Sequence, residues 1–204
     1  MNKMEKKDYQ IGDEIRTWSV CIPDNAGKEV EKTLKSTWIN TGKKEKEFRE
    51  KICNRFKAPY ATATTSGTNA LKIALKSIGV GSGDEVVSTP YTFMATNTAV
   101  LELGAKPVFA DIQYDTLNID PVSVAEKITS KTKAIICVHY AGNAVDLNEL
   151  REVASSHNLP IIEDSAHAMA TEYQGMPIGS TGDMACFSFQ CVKIVTCGDG
   201  GVVT

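Results

Sequence analysis

Apolar positions along the 204-residue chain follow two rhythms, and these alternate. "GKEVEKTLKSTW" and "KKEKEFREKICNRF" carry apolar residues at helical spacing, as does "TNALKIALKSIG", which Gly79 closes. Between and after them come short apolar runs suited to strands: "YATATTSG", "DEVVSTP", "KPVFADI", "KAIICVHY", "LPIIEDSAH", "DMACFSF" and "GGVVT". Three further helices fit the gaps. "FMATNTAVLELG" ends at a glycine, "PVSVAEKI" has proline in its first turn, and "DLNELREVASSHN" follows the fourth strand. Residues 1–20 are polar and read as an arm ahead of a single domain over 21–204.

Strands that are apolar throughout, separated by helices, predict a three-layer αβα fold with a mainly parallel sheet covered on both faces. In such sheets a ligand lies beyond the carboxyl ends of the strands. "TTSGTN", "TPYTF", "VHYAG", "EDSAH" and "SFQCVK" all begin where a predicted strand stops. The topology therefore gathers them at one edge.

Bulk properties remove several function classes. A net charge of −3, with acids and bases interspersed as in "KKEKEFREK", gives no basic footprint for nucleic acid. No apolar run approaches the roughly eighteen residues a membrane span needs, and "MNKMEKKDYQ" has no apolar signal core. The six cysteines form no CxxC pair, and no metal-ligand spacing links them with His139, His157 and His167. Reduced thiols in a cytoplasmic protein are expected, with no metal.

The strand exits suggest chemistry. Ser66, Gly67, Thr68 and Asn69 turn the chain from a strand into a helix, whose free amides and dipole favour an anion such as phosphate. The same turn would also serve as a plain helix cap. It is not a Walker loop, and "GVGSGDEV" runs from helix to strand, the wrong order for a dinucleotide fingerprint. Glu163 and Asp164 end a buried strand, where a carboxylate needs a partner: a capped amide, a salt bridge or a ligand cation. Tyr91 and Phe93 stand where a ring could stack on a flat ligand or simply fill the core, and His167 allows the same two readings. Lys193 lies among apolar residues. A partly desolvated lysine has a lowered pKa and attacks carbonyls. Phosphate cradle, aromatic plate, carboxylate and lysine together describe a site for pyridoxal 5′-phosphate (PLP).

These segments also resemble the DegT/DnrJ/StrS-type nucleotide-sugar aminotransferases, PLP enzymes of fold type I. Nine blocks carry the likeness in order, among them "WINTGKKEKEFREKI", "TTSGTNALKIAL", "GSGDEVVSTPYTFMAT", "TKAIICVHYAG", "PIIEDSAHAM", "GSTGDMACFSF" and "TCGDGGVVT". The resemblance implies an aspartate aminotransferase-like large domain that is the truncated N-terminal portion of such an enzyme, with the C-terminal small domain absent. Under it, Lys193 forms the Schiff base and shuttles protons, and Asp164 partners the pyridine nitrogen. Thr68, Asn69 and Ser188 meet the phosphate, alongside Ser66 and Gly67 of the same turn, Phe93 stacks, and His167 lies against the ring. It implies transfer of an amino group, usually from L-glutamate, to a keto carbon of a nucleotide-linked sugar, by a homodimer. Lys193 argues against the relatives that carry histidine there and act as sugar dehydratases. A catalytically incomplete fragment, or a regulatory or assembly protein, is the competing expectation.

Overall fold

The computed structural model describes Val20, residues 22–180 and residues 182–204. The expected arm therefore falls, except for Val20, outside the described residues. Two helices come first: α1 (Ala26–Lys35) and α2 (Lys43–Phe56). Next are β1 (Thr62–Thr64), α3 (Gly67–Ser77), β2 (Glu85–Ser88), α4 (Ala95–Leu101) and β3 (Lys106–Phe109). The chain continues through α5 (Pro121–Lys127), β4 (Thr132–Val138), α6 (Leu147–Ser156) and β5 (Ile161–Asp164). After a two-residue hairpin, β6 (Glu172–Tyr173) and β7 (Met176–Pro177), come β8 (Met184–Ser188) and β9 (Gly201–Val203).

Local chemistry starts several of these helices. Ser66 caps α3, its Oγ accepting from Asn69 N at 3.2 Å. Asp120 caps α5 ahead of Pro121, and Asp146 caps α6 through the amides of Asn148 and Glu149. Each cap satisfies amides that the helix itself leaves open.

Seven strands form one sheet in the order β1-β9-β8-β5-β4-β2-β3. β3, β2, β4, β5 and β8 pair in parallel, while β9 is antiparallel to both neighbours, β8 and β1. Every strand of this sheet except β9 thus runs the same way, so β1 delivers its exit to the edge where β2, β4, β5 and β8 end. The sheet is mainly parallel and lies between two helical layers, as the alternating pattern predicts.

Alternation along the strands divides the core. Ala134 and Ile136 of β4, Ile162 of β5 and Cys186 of β8 pack on Ala70, Leu71, Ala74 and Leu75 of α3 and on Ala99 and Val100 of α4. Ile135, Cys137 and Ile161 face the opposite layer, against Val124 of α5 and Leu147, Leu150 and Ala154 of α6. Further along that second face, Phe187 of β8 stacks on Phe56 of α2 with ring centroids 4.3 Å apart. The sequence pattern does not announce the β6–β7 hairpin: two strands of two residues are too short to show a period.

Candidate active site

The strand exits enclose a cavity of about 710 Å³ on the α3–α4 side of the sheet. Ser66, Gly67 and Thr68 line it from the β1 exit and the start of α3; Tyr91, Thr92 and Phe93 come from beyond β2. Tyr140 follows β4, Asp164 ends β5 with His167 just beyond it, and Ser188 ends β8 with Lys193 in the turn that follows. Of the residues that the resemblance assigns to the cofactor, only Asn69 stands off this wall. Its Nδ2 donates to Thr65 Oγ1 at 2.6 Å and its backbone amide is taken up by the Ser66 cap.

At the turn into α3 the packing is close. A Cβ placed on Gly67 would lie 2.8 Å from Ser188 Cβ, so only glycine lets the helix start and the β8 exit approach this closely. The result is a small concavity with backbone amides of an 11-residue helix on one side and the Ser188 hydroxyl on the other.

Glu163 and Asp164 are neighbours in sequence but face opposite ways. Glu163 is fully buried on the α5–α6 face, within reach of His139. His139 Nδ1 accepts from Val145 N at 3.1 Å, so Nε2 carries the proton and donates to Glu163 Oε2 at 3.0 Å. Asp164, 6 % exposed, opens on the cavity instead. Thr96 Oγ1 donates to its Oδ2 at 2.7 Å, and Ala166 N donates to its Oδ1 at 3.2 Å. Among the described residues no basic group forms an ion pair with Asp164. Of the partners open to it from sequence, the carboxylate has a capping amide and a hydroxyl but no salt bridge. Lone pairs remain on both oxygens.

Lys193 is half-buried in the turn after β8. Burial pulls its pKa below the ordinary lysine value, and the Asp164 carboxylate partly opposes that shift. Burial and the nearby Lys193 likewise push His167 down, with Asp164 opposing, and its buried Nδ1 has no hydrogen-bond partner. An imidazole and a lysine whose charged forms are both disfavoured by burial therefore share the cavity. Cys186, also on the wall, has its thiol pushed well up by burial and by both carboxylates, which makes it a poor nucleophile. The lysine shift carries a pH signature. Unfolding returns Lys193 to its ordinary value, so the unfolded chain binds more protons between the two values and this residue's contribution to stability rises with pH there. Capture of a carbonyl compound by Lys193 should reach half its maximal rate below pH 10.5, and stopped-flow mixing with PLP across pH would read that midpoint.

Three residues at the mouth form an aromatic wall. Tyr91 and Tyr140 have ring centroids 4.6 Å apart, and the Tyr140 ring edge meets His167 at 6.3 Å. Contact with the Tyr91 hydroxyl and burial push the Tyr140 phenol up, so it stays a hydrogen-bond donor. A strained turn places Tyr140: Ala141 adopts φ 50°, which costs on the order of 1–2 kcal/mol. Asn118 Oδ1 accepts from Tyr140 N at 3.1 Å, and Thr171 Oγ1 donates to Gly142 O at 2.8 Å, holding the turn in place. Phe93, 69 % exposed, sits at the rim.

Sequence reasoning did not single out Tyr140, Thr92 or Thr96. Thr96 had a signal: it shares the inward stripe of α4 with Ala99 and Val100, where a hydroxyl needs a partner. Among the described residues no group of three or more His, Cys, Asp or Glu could hold a metal ion.

The sequence profile of the DegT/DnrJ/EryC1/StrS aminotransferase family matches residues 20–204. The chain belongs to that family. It is 43% identical over 177 residues to the spore coat polysaccharide biosynthesis protein SpsC of Bacillus subtilis, spanning 87% of this chain and 46% of SpsC. A Streptococcus pneumoniae protein assigned as a sugar aminotransferase and solved in its PLP form superposes with a TM-score of 0.88 at 36% identity, over 93% of this chain and 52% of that one. The same protein has also been solved in a PMP form. DesI, solved with its TDP-sugar product, gives a TM-score of 0.82 at 36% identity, over 87% of this chain and 45% of its own. The chain thus spans about half the length of the family members it matches. The αβα architecture expected from the sequence is that of these aminotransferases.

Proposed function

We propose that this member of the DegT/DnrJ/EryC1/StrS family binds PLP and moves an amino group from L-glutamate to a keto carbon of a nucleotide-linked sugar. One observation carries the reading. A buried carboxylate without a cationic partner and a lysine whose charge is disfavoured share a single cavity with a helix N-terminus. The residues fit PLP: the Gly67–Ser188 concavity suits its phosphate, Asp164 its ring nitrogen, and the orphaned His167 Nδ1 the polar edge of the ring.

When bound, PLP supplies an electrophilic aldehyde carbon and a ring that withdraws electrons. The chain's own residues hold and move protons around it. Lys193 Nζ, more readily neutral than an ordinary lysine, is the nucleophile and can accept and return a proton. Asp164 would accept the ring N–H, a charge-assisted hydrogen bond of about 1.5–3 kcal/mol. Ser66, Gly67, Thr68 and the Ser188 hydroxyl would face the phosphate, with Asn69 acting only through its amide's bond to the Ser66 cap, while Phe93 and neutral His167 would flank the ring without adding charge.

The finer assignments rest on relatives. The TDP-sugar product bound to DesI supports a nucleotide sugar as acceptor, and the SpsC likeness supports a role in polysaccharide biosynthesis. We read residues 21–204 as the cofactor-binding large domain behind an arm over 1–20, working as a homodimer in the cytoplasm. Free thiols fit a reducing compartment, and no described helix is long and apolar enough to cross a membrane.

The test is the visible spectrum of the full chain with PLP, before and after L-glutamate. A yellow band that bleaches supports PLP binding and the half-reaction with L-glutamate. The span of about half the relatives' length motivates a second reading, a cofactor-binding portion without turnover; it predicts a band that does not bleach. No band would sink both.

A further inference from the structure

Thr96 is fully buried on the inward stripe of α4, between the sheet and the cavity. Its Oγ1 is 2.7 Å from Asp164 Oδ2 and 2.8 Å from Thr92 Oγ1. Elementary valence fixes the direction of this chain. An ionised carboxylate only accepts, so the single Thr96 proton points to Asp164, and Thr92 must donate to Thr96. Thr92 and Thr96 both line the cavity, so a line of hydroxyls runs along its wall to the carboxylate.

Two hydrogen bonds, one to each oxygen, set the plane of the Asp164 carboxyl. Ala166 N holds Oδ1, and Thr96 holds Oδ2. The χ2 torsion of an aspartate is otherwise broad and roughly two-fold. Without the Thr96 bond the carboxyl would swing about Cβ–Cγ, and its remaining lone pairs would lose their aim into the cavity. A valine has nearly the shape of threonine but lacks its hydroxyl, so the apolar neighbours Ala99 and Val100 alone do not call for the hydroxyl.

We propose that Thr96 is a positioning residue: it orients the Asp164 carboxylate toward the ring nitrogen of the cofactor, with Thr92 fixing the Thr96 proton. The inference rests on the reading of the cavity as a PLP site. Its measurement is the equilibrium binding of PLP to the full chain, read from the visible band. Parallel samples carry Thr96→Val, Thr96→Ser, Asp164→Asn and the double variant Thr96→Val/Asp164→Asn.

Thr96→Val should weaken PLP binding about tenfold, the scale of one charge-assisted hydrogen bond, and Thr96→Ser should restore it to within about threefold. In the Asp164→Asn background the valine change should add little, because no carboxylate is left to aim at the ring nitrogen. Thr92→Val, at the cavity end of the chain, should give a smaller loss in the same direction, about two- to threefold, and remains informative if Thr96→Val does not fold. Binding by Thr96→Val equal to that of the unchanged chain would overturn the inference while leaving the PLP reading intact. So would an equal loss in both backgrounds, or a Thr96→Ser variant as weak as the valine, since each marks plain packing. An unchanged Thr92→Val removes Thr92 from the arrangement and overturns that part. If the unchanged chain gives no band, the PLP reading itself fails and takes the inference with it.

Discussion

Replacing Lys193 with alanine should abolish stoichiometric covalent attachment of PLP. Borohydride reduction of the chain with PLP fixes any imine as a stable secondary amine, so tryptic mass mapping identifies the amine responsible. The chain has 22 Lys and Arg residues, and exposed lysines will label weakly at high reagent. Lys193 differs from an exposed lysine in two respects: burial lowers its pKa, and it lines the cavity that holds Asp164 and Ser188. At PLP close to equimolar with the chain, the label should map to Lys193 and disappear in Lys193→Ala, with Lys193→Arg no better because a guanidinium stays charged. A stoichiometric label on another lysine would remove Lys193 from the mechanism.

The second large effect belongs to Asp164. Asparagine has almost the same shape but no charge, so Asp164→Asn should keep attachment at Lys193 while slowing amino transfer from L-glutamate by about 10²–10³-fold, the range for loss of one preorganised electrostatic contact at a reacting centre. Single-turnover bleaching of the visible band measures it. Rates within a few-fold of the unchanged chain would mean that the ring nitrogen finds its proton elsewhere. The neighbour supplies the control. Glu163 faces the other layer against His139, so Glu163→Gln should change stability far more than the rate per folded molecule.

Much of the architecture is written in the apolar rhythm because burial is two-sided. The run Ala134–Val138 is apolar throughout since both faces of β4 are covered, and that continuity is what marks a parallel, doubly covered strand. The direction of β9 is not legible. Three residues carry no orientation signal, and pairing with β8 and β1 decides it. In the site, residues at strand exits could be found because the sheet rule puts them at one edge. Ser66, Gly67, Thr68, Phe93, Asp164, His167, Ser188 and Lys193 all reach the same cavity. Asn69 shows the limit of that rule. One residue further into the helix, its side chain turns back to Thr65, because side chains rotate by about 100° per helical residue. Thr96 and Tyr140 escaped for a related reason: their roles depend on tertiary neighbours, Asp164 in one case and the strained turn at Ala141 in the other.

The alternation at the end of β5 also makes the site vulnerable to a kind of change that substitution scans never sample. Glu163 and Asp164 are chemically alike, and only the parity of their positions along the strand sends one to His139 and the other to the cavity. Deleting or inserting one residue between Asn158 and Ile162 would leave the composition and net charge of the strand's end almost untouched. It would exchange the two acids between the two faces of the sheet. The longer side chain would then crowd the space that Thr96 and Ala166 define, and the shorter one would fall short of the imidazole. Among surviving descendants of this gene, length changes should therefore collect in the surface turns and be missing from this five-residue stretch, however freely its individual letters vary.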